Sequence, residues 1–287
     1  MECNATHRPH EAAHVVGGFR SAAPTLRESM NGEIDKAATM APFGDIGADK
    51  PGYVQAMFTA IAGRYDFVNA VLSFGLDAGW RRFAASQATT GPNGLALDVA
   101  AGTGELARHL ARKEGRATVV ALDFCPDMLS RARAKRIAQD GGDRVEFVLG
   151  DVLQLPFADG TFDCVTIGFG LRNVADVRAA FREMSRVTRA GGTVVSLELT
   201  RPVSPFARVL HALWLSRVVP HLGRLISGSR EAYEYLPHSI REFPSPEEVK
   251  IIMEGAGLGD VKVHRLSGGI ATVHVGAKAD GPGRPPQ

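Results

Sequence analysis

Cysteine is scarce: Cys3, Cys125 and Cys164 are the only three in 287 residues, and no two stand at a CxxC or other metal-ligand spacing. That excludes a zinc-stapled fold and a disulfide framework. Scattered thiols of odd number fit a reducing compartment, with Cys125 and Cys164 acting as small apolar core residues. Long apolar runs are also lacking. None reaches the roughly 18–20 residues that span a bilayer, and no signal-peptide core stands near the start. Residues 1–50 carry seven acids against five Lys/Arg, too acidic for a transit peptide. The chain lacks an excess of one charge as well. A formal net charge of +2 gives no uniform pull on nucleic acid, which is not expected as a partner. The expected location is the cytoplasm.

What is present has the balance of a soluble globular protein, 45% hydrophobic and 22% charged. The length suits one large α/β domain with appendages. Residues 1–50, rich in Ala, Gly and Pro without sustained periodicity, read as a disordered extension, and 280–287 (DGPGRPPQ) as a tail. His7, His10 and His14 have a ligand-like spacing, but no Cys or carboxylate cluster supports them, so no metal site is assigned.

Over residues 51–279 short apolar runs alternate with helical patterns. Strands are predicted at Leu95–Ala100, Ala117–Leu122, Val145–Leu149, Phe162–Phe169 and Thr193–Leu199. Helices are predicted at Gly104–Lys113, from Pro126 to about Gln139, and at Ala175–Thr188, the last stopped by Ala190-Gly191-Gly192. This alternation implies right-handed crossovers and a parallel, doubly wound sheet. The ending differs: helix Glu247–Gly257, then Val261–Leu266 and Ala271–Ala277 around a Ser-Gly-Gly turn. That terminal hairpin should place an antiparallel strand in the sheet.

The sharpest local motif is 97–107, LDVAAGTGELA, a strand running into a Gly-rich turn and a helix. Gly102 and Gly104 permit a tight turn and close backbone approach to a ligand. The free N–H groups of the following helix favour an anionic group. The spacing Gly102-x-Gly104-x-x-Ala107 equally fits a dinucleotide fingerprint. Asp123, closing the second strand, is placed to accept from ribose hydroxyls, as in NAD enzymes. Asp151, at the third strand tip in 150–157 (GDVLQLPF), is suited to accept from an adenine amino group while the Val152 N–H donates to a ring nitrogen. A turn or helix-cap role is the alternative for Asp151. Asp98, inside the first strand, must be hydrogen-bonded if buried.

Four segments together resemble a known family: 64–82 (RYDFVNAVLSFGLDAGWRR), 165–202 (VTIGFGLRN through RAGGTVVSLELTRP), 231–258 (EAYEYLPHSIREFPSPEEVKIIMEGAGL) and 266–278 (LSGGIATVHVGAK). Residues 53–278 are similar to the ubiquinone/menaquinone biosynthesis C-methyltransferases. The resemblance implies a class I (Rossmann-like) methyltransferase with a seven-stranded, mostly parallel sheet, an antiparallel terminal hairpin and a helical lid insertion at about 201–240. It implies S-adenosylmethionine (SAM) as cofactor and a prenylated quinol as substrate. Thr103, Asp123, Asp151 and Val152 fall on its SAM-binding positions. Asp98 then either shapes the glycine loop or lies near the amino group of the methionine moiety.

The chain also departs from the family's pattern. Gly168 replaces a frequent Ser, so that SAM hydrogen bond comes from backbone or is missing. Val68-Asn69-Ala70, Asp77-Ala78-Gly79-Trp80 and Pro237-His238-Ser239-Ile240 replace other signature residues. These last differences fall on the acceptor side, which keeps open another phenolic or lipid-like acceptor.

Methyl transfer to ring carbon needs alignment, exclusion of water, and a neighbouring hydroxyl that loses its proton. Arg172 and Asn173 follow the fourth strand at the sheet's carboxyl edge, where open α/β sheets bind ligands. Arg172, a poor base, is suited to stabilise a quinolate oxygen. Capping and ion pairing are their structural alternatives. Arg172, Tyr65 and His238 are the catalytic candidates, in that order, with Asn173 beside them.

Residues 201–230 hold five Arg (201, 208, 217, 224, 230) and no acid. Phe206, Val209, Leu210, Leu213, Trp214 and Val218 recur there at helical spacing. Such a stripe either packs as a lid with Arg snorkelling to water or docks on an anionic membrane and admits a prenyl chain. The two roles are compatible. The implied partners are the quinol, the inner face of a membrane through 201–230, and, compatibly, a second copy as homodimer. NAD-dependent oxidoreduction and non-catalytic SAM binding are the competing readings.

Overall fold

The computed structural model describes residues 50–91, 93–113, 117–136, 142–219 and 231–279. The N-terminal extension with its three histidines, the tail 280–287 and lid residues 220–230 lie outside the described residues. Seven strands form one sheet in the order β3-β2-β1-β4-β5-β7-β6. They are β1 Leu95–Val99, β2 Thr118–Asp123, β3 Val145–Leu149, β4 Phe162–Gly168, β5 Thr188–Leu199, β6 Leu258–Leu266 and β7 Ala271–Lys278. The first five are parallel, while β7 runs antiparallel to both β5 and β6. This is the doubly wound architecture with a terminal hairpin that the sequence predicts.

Strand interiors are apolar on both faces because helices cover both. Leu97, Val99, Val119, Ala121, Val165 and Ile167 are all fully buried. Helix α4, Glu105–Arg112, shows how the local pattern fits. Leu106, Ala107, Leu110 and Ala111 are buried, while Arg108, His109 and Arg112 lie outward of them. Each buried Leu contributes about 1.5–3 kcal/mol. The other crossover helices are α5, Pro126–Arg136, and α6, Val177–Val187, the latter N-capped by Asp176 accepting from the Ala179 N–H at 2.9 Å. Cys125 and Cys164 are free and buried, and burial pushes both thiols up, Cys164 to about 12.

Two regions depart from the sequence expectation. Helix α6 stops at Val187, where Thr188 Oγ1 donates to the Met184 carbonyl at 2.7 Å, so the Ala-Gly-Gly stretch is not its stop. Thr188 instead pairs with Phe162 and Thr193 with Cys164, leaving a bulge between them. Gly191, at φ 70°, turns the chain back, and Arg189 pairs with Asp163 at 2.7 Å. The second departure is a cap that was not foreseen. Helices α1 (Lys50–Ile61), α2 (Tyr65–Leu72) and α3 (Leu76–Gln87) lead into β1. Helix α2 is eight residues long with only Val68 fully buried, too short and too exposed to show a period.

The lid opens with α7, Pro205–Leu213, which continues into a π-helical turn, Trp214–Val218, and the chain re-enters the described structure in α8, Glu231–Glu242. Helix α9, Pro246–Gly255, starts on a capping box between Ser245 and Glu248. Among the described residues no helix is long and apolar enough to cross a membrane.

The loops after β1 and β4 meet at Gly170, where a Cβ would stand 2.5 Å from the Cβ of Ala100. Ala100 itself sits at φ 50° and cannot yield easily. Gly170→Ala is therefore expected to destabilise by about 1–3 kcal/mol. Gly79→Ala, in helix α3 with nothing within 4 Å of its added Cβ, should stabilise by about 0.5–1 kcal/mol. Paired urea melts check both signs.

Candidate active site

The carboxyl ends of the parallel strands open into two cavities that share a wall. The first is a cleft lined by Gly102, Asp123, Asp151, Val152, Gly168 and Asn173, with Phe58 and Met128 beside them. The second is an apolar cavity of about 550 Å³ between α2, α3 and the lid. Tyr65 and Phe169 line both.

The cleft begins at the glycine loop. Gly102 and Gly104 have φ of 57° and 79°, so the loop turns back on itself. The Gly102 N–H donates to Asp123 Oδ2 at 2.7 Å and the Cys125 N–H to Oδ1 at 2.8 Å. These bonds, with a further one from the Phe124 backbone, fix the carboxylate and leave it acceptor capacity for a hydroxyl. Burial pushes the Asp123 carboxyl above its ordinary value, while these backbone donors favour its charged form. Asp151 is exposed, with Oδ1 accepting from the Leu153 N–H at 2.9 Å. That turn fixes the side chain and leaves Oδ2 available, with Val152 buried next to it. Gly168 lies on the floor, where a Cβ would stand 3.0 Å from Leu106 Cδ2. A serine there would press on that leucine.

Three of the residues expected to bind cofactor do not line the cleft. Thr103 is buried, and its hydroxyl donates to Asp66 Oδ1 at 2.5 Å. Asp66 also pairs with Lys135, which reaches Glu105 at 3.1 Å. The network ties α2 to α4 and α5, and so holds Tyr65 over the loop. Gly104 packs against the Phe147 ring and Ala132, leaving little room for a side chain. Asp98 is buried below the loop, with Oδ1 accepting from Thr166 Oγ1 at 2.6 Å and Oδ2 without a hydrogen-bond partner. Burial pushes its carboxyl up to about 7, against the hydrogen bond from Thr166.

These groups fit SAM. Asp123 and Asp151 offer acceptors for ribose hydroxyls and an exocyclic amine. The bound cofactor would supply an electrophilic methyl group on a sulfonium.

Arg172 and Asn173 diverge. The Arg172 guanidinium lines the apolar cavity and is locked by Glu198 Oε1 at 2.6 Å and the Phe169 carbonyl at 2.6 Å. Burial alone would lower its pKa, but the Glu198 charge and hydrogen bond together with Tyr65 and Tyr235 outweigh it and hold the group above its ordinary value. Asn173 lines the cleft, with Nδ2 on the Phe169 carbonyl at 3.5 Å and Oδ1 buried without a partner. Phe169 adopts φ 60°, a strained conformation for an aromatic residue. The Arg81 guanidinium lies 4.9 Å from its ring centroid. Tyr65 is half-buried with its pKa raised by burial, partly offset by the Arg172 charge. His238 is exposed on α8 and lines neither cavity.

The predicted lid stripe turns out to be largely solvent-facing: Phe206 is 73% exposed and Val209 59%. Two of its members, Leu210 and Trp214, face the cavity in an overlapping stripe with Ala207, His211 and Leu215. Its i, i+3, i+4 spacing is as regular, but His211 and Ala207 hide it from an apolar count. Trp80, Asp77 and Arg81 also line the cavity. Among the described residues no cluster of His, Cys, Asp and Glu could hold a metal.

A carboxyl held near pH 7 when folded, against 3.8 for the ordinary group, stabilises the fold fully below its unfolded value and progressively less as pH rises to about 7. The Asp98 contribution to stability should thus fall by up to about 4 kcal/mol between pH 4 and 8. Thermal melts of wild type and Asp98→Asn across that range check it, the variant lacking this slope. Arg172→Met strands the Glu198 carboxylate and should destabilise by about 3–5 kcal/mol, while adding Glu198→Met should recover most of it. Urea titration distinguishes the two.

The comparisons with known proteins agree with this geometry. The chain is 44% identical over 229 residues to a demethylmenaquinone methyltransferase of Roseiflexus castenholzii, covering 80% of this chain and 94% of that one. It is 46% identical over 220 residues to the demethylmenaquinone methyltransferase of Thermus thermophilus, covering 77% and 99%. It is 42% identical over 231 residues to the ubiquinone/menaquinone biosynthesis C-methyltransferase UbiE of Geotalea uraniireducens, covering 80% and 98%. In fold it matches a SAM-dependent methyltransferase of Thermotoga maritima, with TM-score 0.55, 20% identity, and 77% and 98% of the two chains covered. The profile of the ubiE/COQ5 methyltransferase family matches residues 46–278, and this chain belongs to that family of methyltransferases.

Proposed function

We propose that this enzyme methylates a ring carbon of a prenylated quinol in respiratory quinone biosynthesis, with SAM in the cleft and the quinol in the apolar cavity. The observation that carries the reading is the shared wall. Tyr65 and Phe169 border both spaces, so a donor in one and an acceptor in the other can meet only there. The names of the relatives, which cover demethylmenaquinone and ubiquinone/menaquinone methylation, support a quinol acceptor of either ring type.

The chain's own groups suit the chemistry. A wall of Leu72, Leu76, Leu199, Leu210 and Leu215 takes a prenyl chain and excludes water. Arg172, held by Glu198 and always charged, stabilises the oxygen of a quinolate as its electrons move to the ring carbon. Alignment across the shared wall supplies the larger part of the rate, about 7–11 kcal/mol in well-oriented systems.

The proposal extends to the membrane. Phe206, Val209 and Leu213 are exposed on α7, with Arg201, Arg208 and Arg217 close to them in sequence. That combination suits peripheral contact with an anionic bilayer, where a prenylated quinol is dissolved.

Purified protein with methyl-labelled SAM should label demethylmenaquinol or its benzoquinol counterpart, as seen by product mass. Labelling only of unprenylated phenols would overturn the substrate reading. Asp123→Ala removes the anchor of the Gly102 and Cys125 N–H groups and should weaken SAM binding at least about 10-fold by calorimetry. Unchanged affinity would remove Asp123 from the cofactor site.

A further inference from the structure

The polar groups of the apolar cavity are nearly all engaged. Ser73 donates to Asp77 at 2.9 Å, and Asp77 pairs with Arg81. Arg172 is committed to Glu198, and Tyr65 is hydrogen-bonded to Asn69. His211 stands apart. It lies on α7, half-buried, in the cavity-facing stripe between Ala207 and Trp214, and its ring makes no hydrogen bond among the described residues. A half-buried imidazole on the cavity wall is free to meet a polar atom of whatever fills the cavity.

We infer that His211 is the group that takes the hydroxyl proton from the acceptor bound in this cavity. The inference rests on the acceptor reading given above. Arg172 and Arg81 hold their protons permanently, and Tyr65 has its pKa raised. Asp77 is occupied by Ser73 and Arg81. Burial lowers the His211 pKa below 6.5, with no neighbouring charge, from Tyr65, Asp77, Arg81 or Arg172, contributing to the shift. The ring is therefore neutral near pH 7 and ready to accept a proton.

In the step, the acceptor's O–H bond breaks and its proton moves to a ring nitrogen of His211. The electron pair left on oxygen, steadied by Arg172, conjugates into the ring carbon, which forms the new carbon–carbon bond to the methyl group as the methyl–sulfur bond of the cofactor breaks and its electron pair stays on sulfur, leaving a neutral thioether. That carbon then loses its own proton to water as the ring regains aromaticity, and His211 returns its proton to the oxygen. One proton is released to solvent overall, as replacement of a ring hydrogen by a cationic methyl group requires.

His211→Gln keeps hydrogen-bonding capacity and approximate volume but cannot carry the proton. It should lower kcat at least about 100-fold, leave SAM affinity by calorimetry within twofold, and abolish the acidic limb of the kcat/KM profile. In His211→Ala, added imidazole should restore part of kcat. A second readout does not need turnover. In protein carrying ¹⁵N-labelled histidine, the His211 ring, assigned by its absence in His211→Gln, should titrate below 6.5 and shift when demethylmenaquinol is added with the demethylated cofactor. A variant within threefold of wild-type kcat with the same acidic limb, or a ring signal indifferent to the quinol, would overturn the inference. If wild type binds no quinol in the same titration and labels none, the acceptor reading itself fails, which is a separable outcome.

Discussion

Between β1 and β4 the winding of the sheet reverses: β2 and β3 are laid down to one side of β1, and β4 and β5 to the other. Helices that leave adjacent strands in opposite directions cannot cover the space between them, so a crevice at those two strand tips follows from connectivity alone. Every part of the site is referred to it. The glycine loop leaves β1, Asp123 closes β2, and Phe169 to Asn173 leave β4. Gly170 lets the β1 and β4 loops touch over Ala100, so the crevice has a closed floor. What that topology makes is one opening; the division into two is added by the elements around it.

The division depends on a buried charge. Arg172 and Glu198 come from the loop after β4 and the end of β5, and both are almost wholly buried. Two desolvated charges persist only as a pair, and the pair receives further bonds: the Arg172 guanidinium reaches the Phe169 carbonyl, and the Leu199 N–H reaches Glu198 Oε1. Phe169 is thereby held in its strained conformation with its ring between the two spaces. The opposite half of the wall, Tyr65, is placed by the Asp66 bonds to Thr103 and Lys135. A positive charge facing an apolar cavity is suited to an acceptor whose oxygen becomes negative in a place where water cannot compete.

The lid shows how one helix serves two surfaces. Helix α7 has no fully buried residue, yet its Leu210 and His211 line the cavity while Phe206 and Val209 face outward. An apolar stripe in a sequence marks a face that prefers to leave water but does not say what it meets. Here the stripe with the stronger apolar pattern is the outer one, and the inner one carries the histidine.

The sequence by itself determined the layers. Strands β1 to β3 and the terminal hairpin follow from apolar runs bounded by glycine and proline, and the glycine loop with Asp123 and Asp151 follows from what strand tips must offer a nucleoside. These are local consequences of backbone stereochemistry and of burial on two faces, and short windows carry them. The tertiary structure alone decided the rest. Thr103 faces Asp66 rather than the cleft, Arg172 and Asn173, adjacent in sequence, line different cavities, and His211 rather than His238 lines the apolar one. Each depends on which distant side chain fills the neighbouring volume and satisfies the neighbouring charge, and no local period records that.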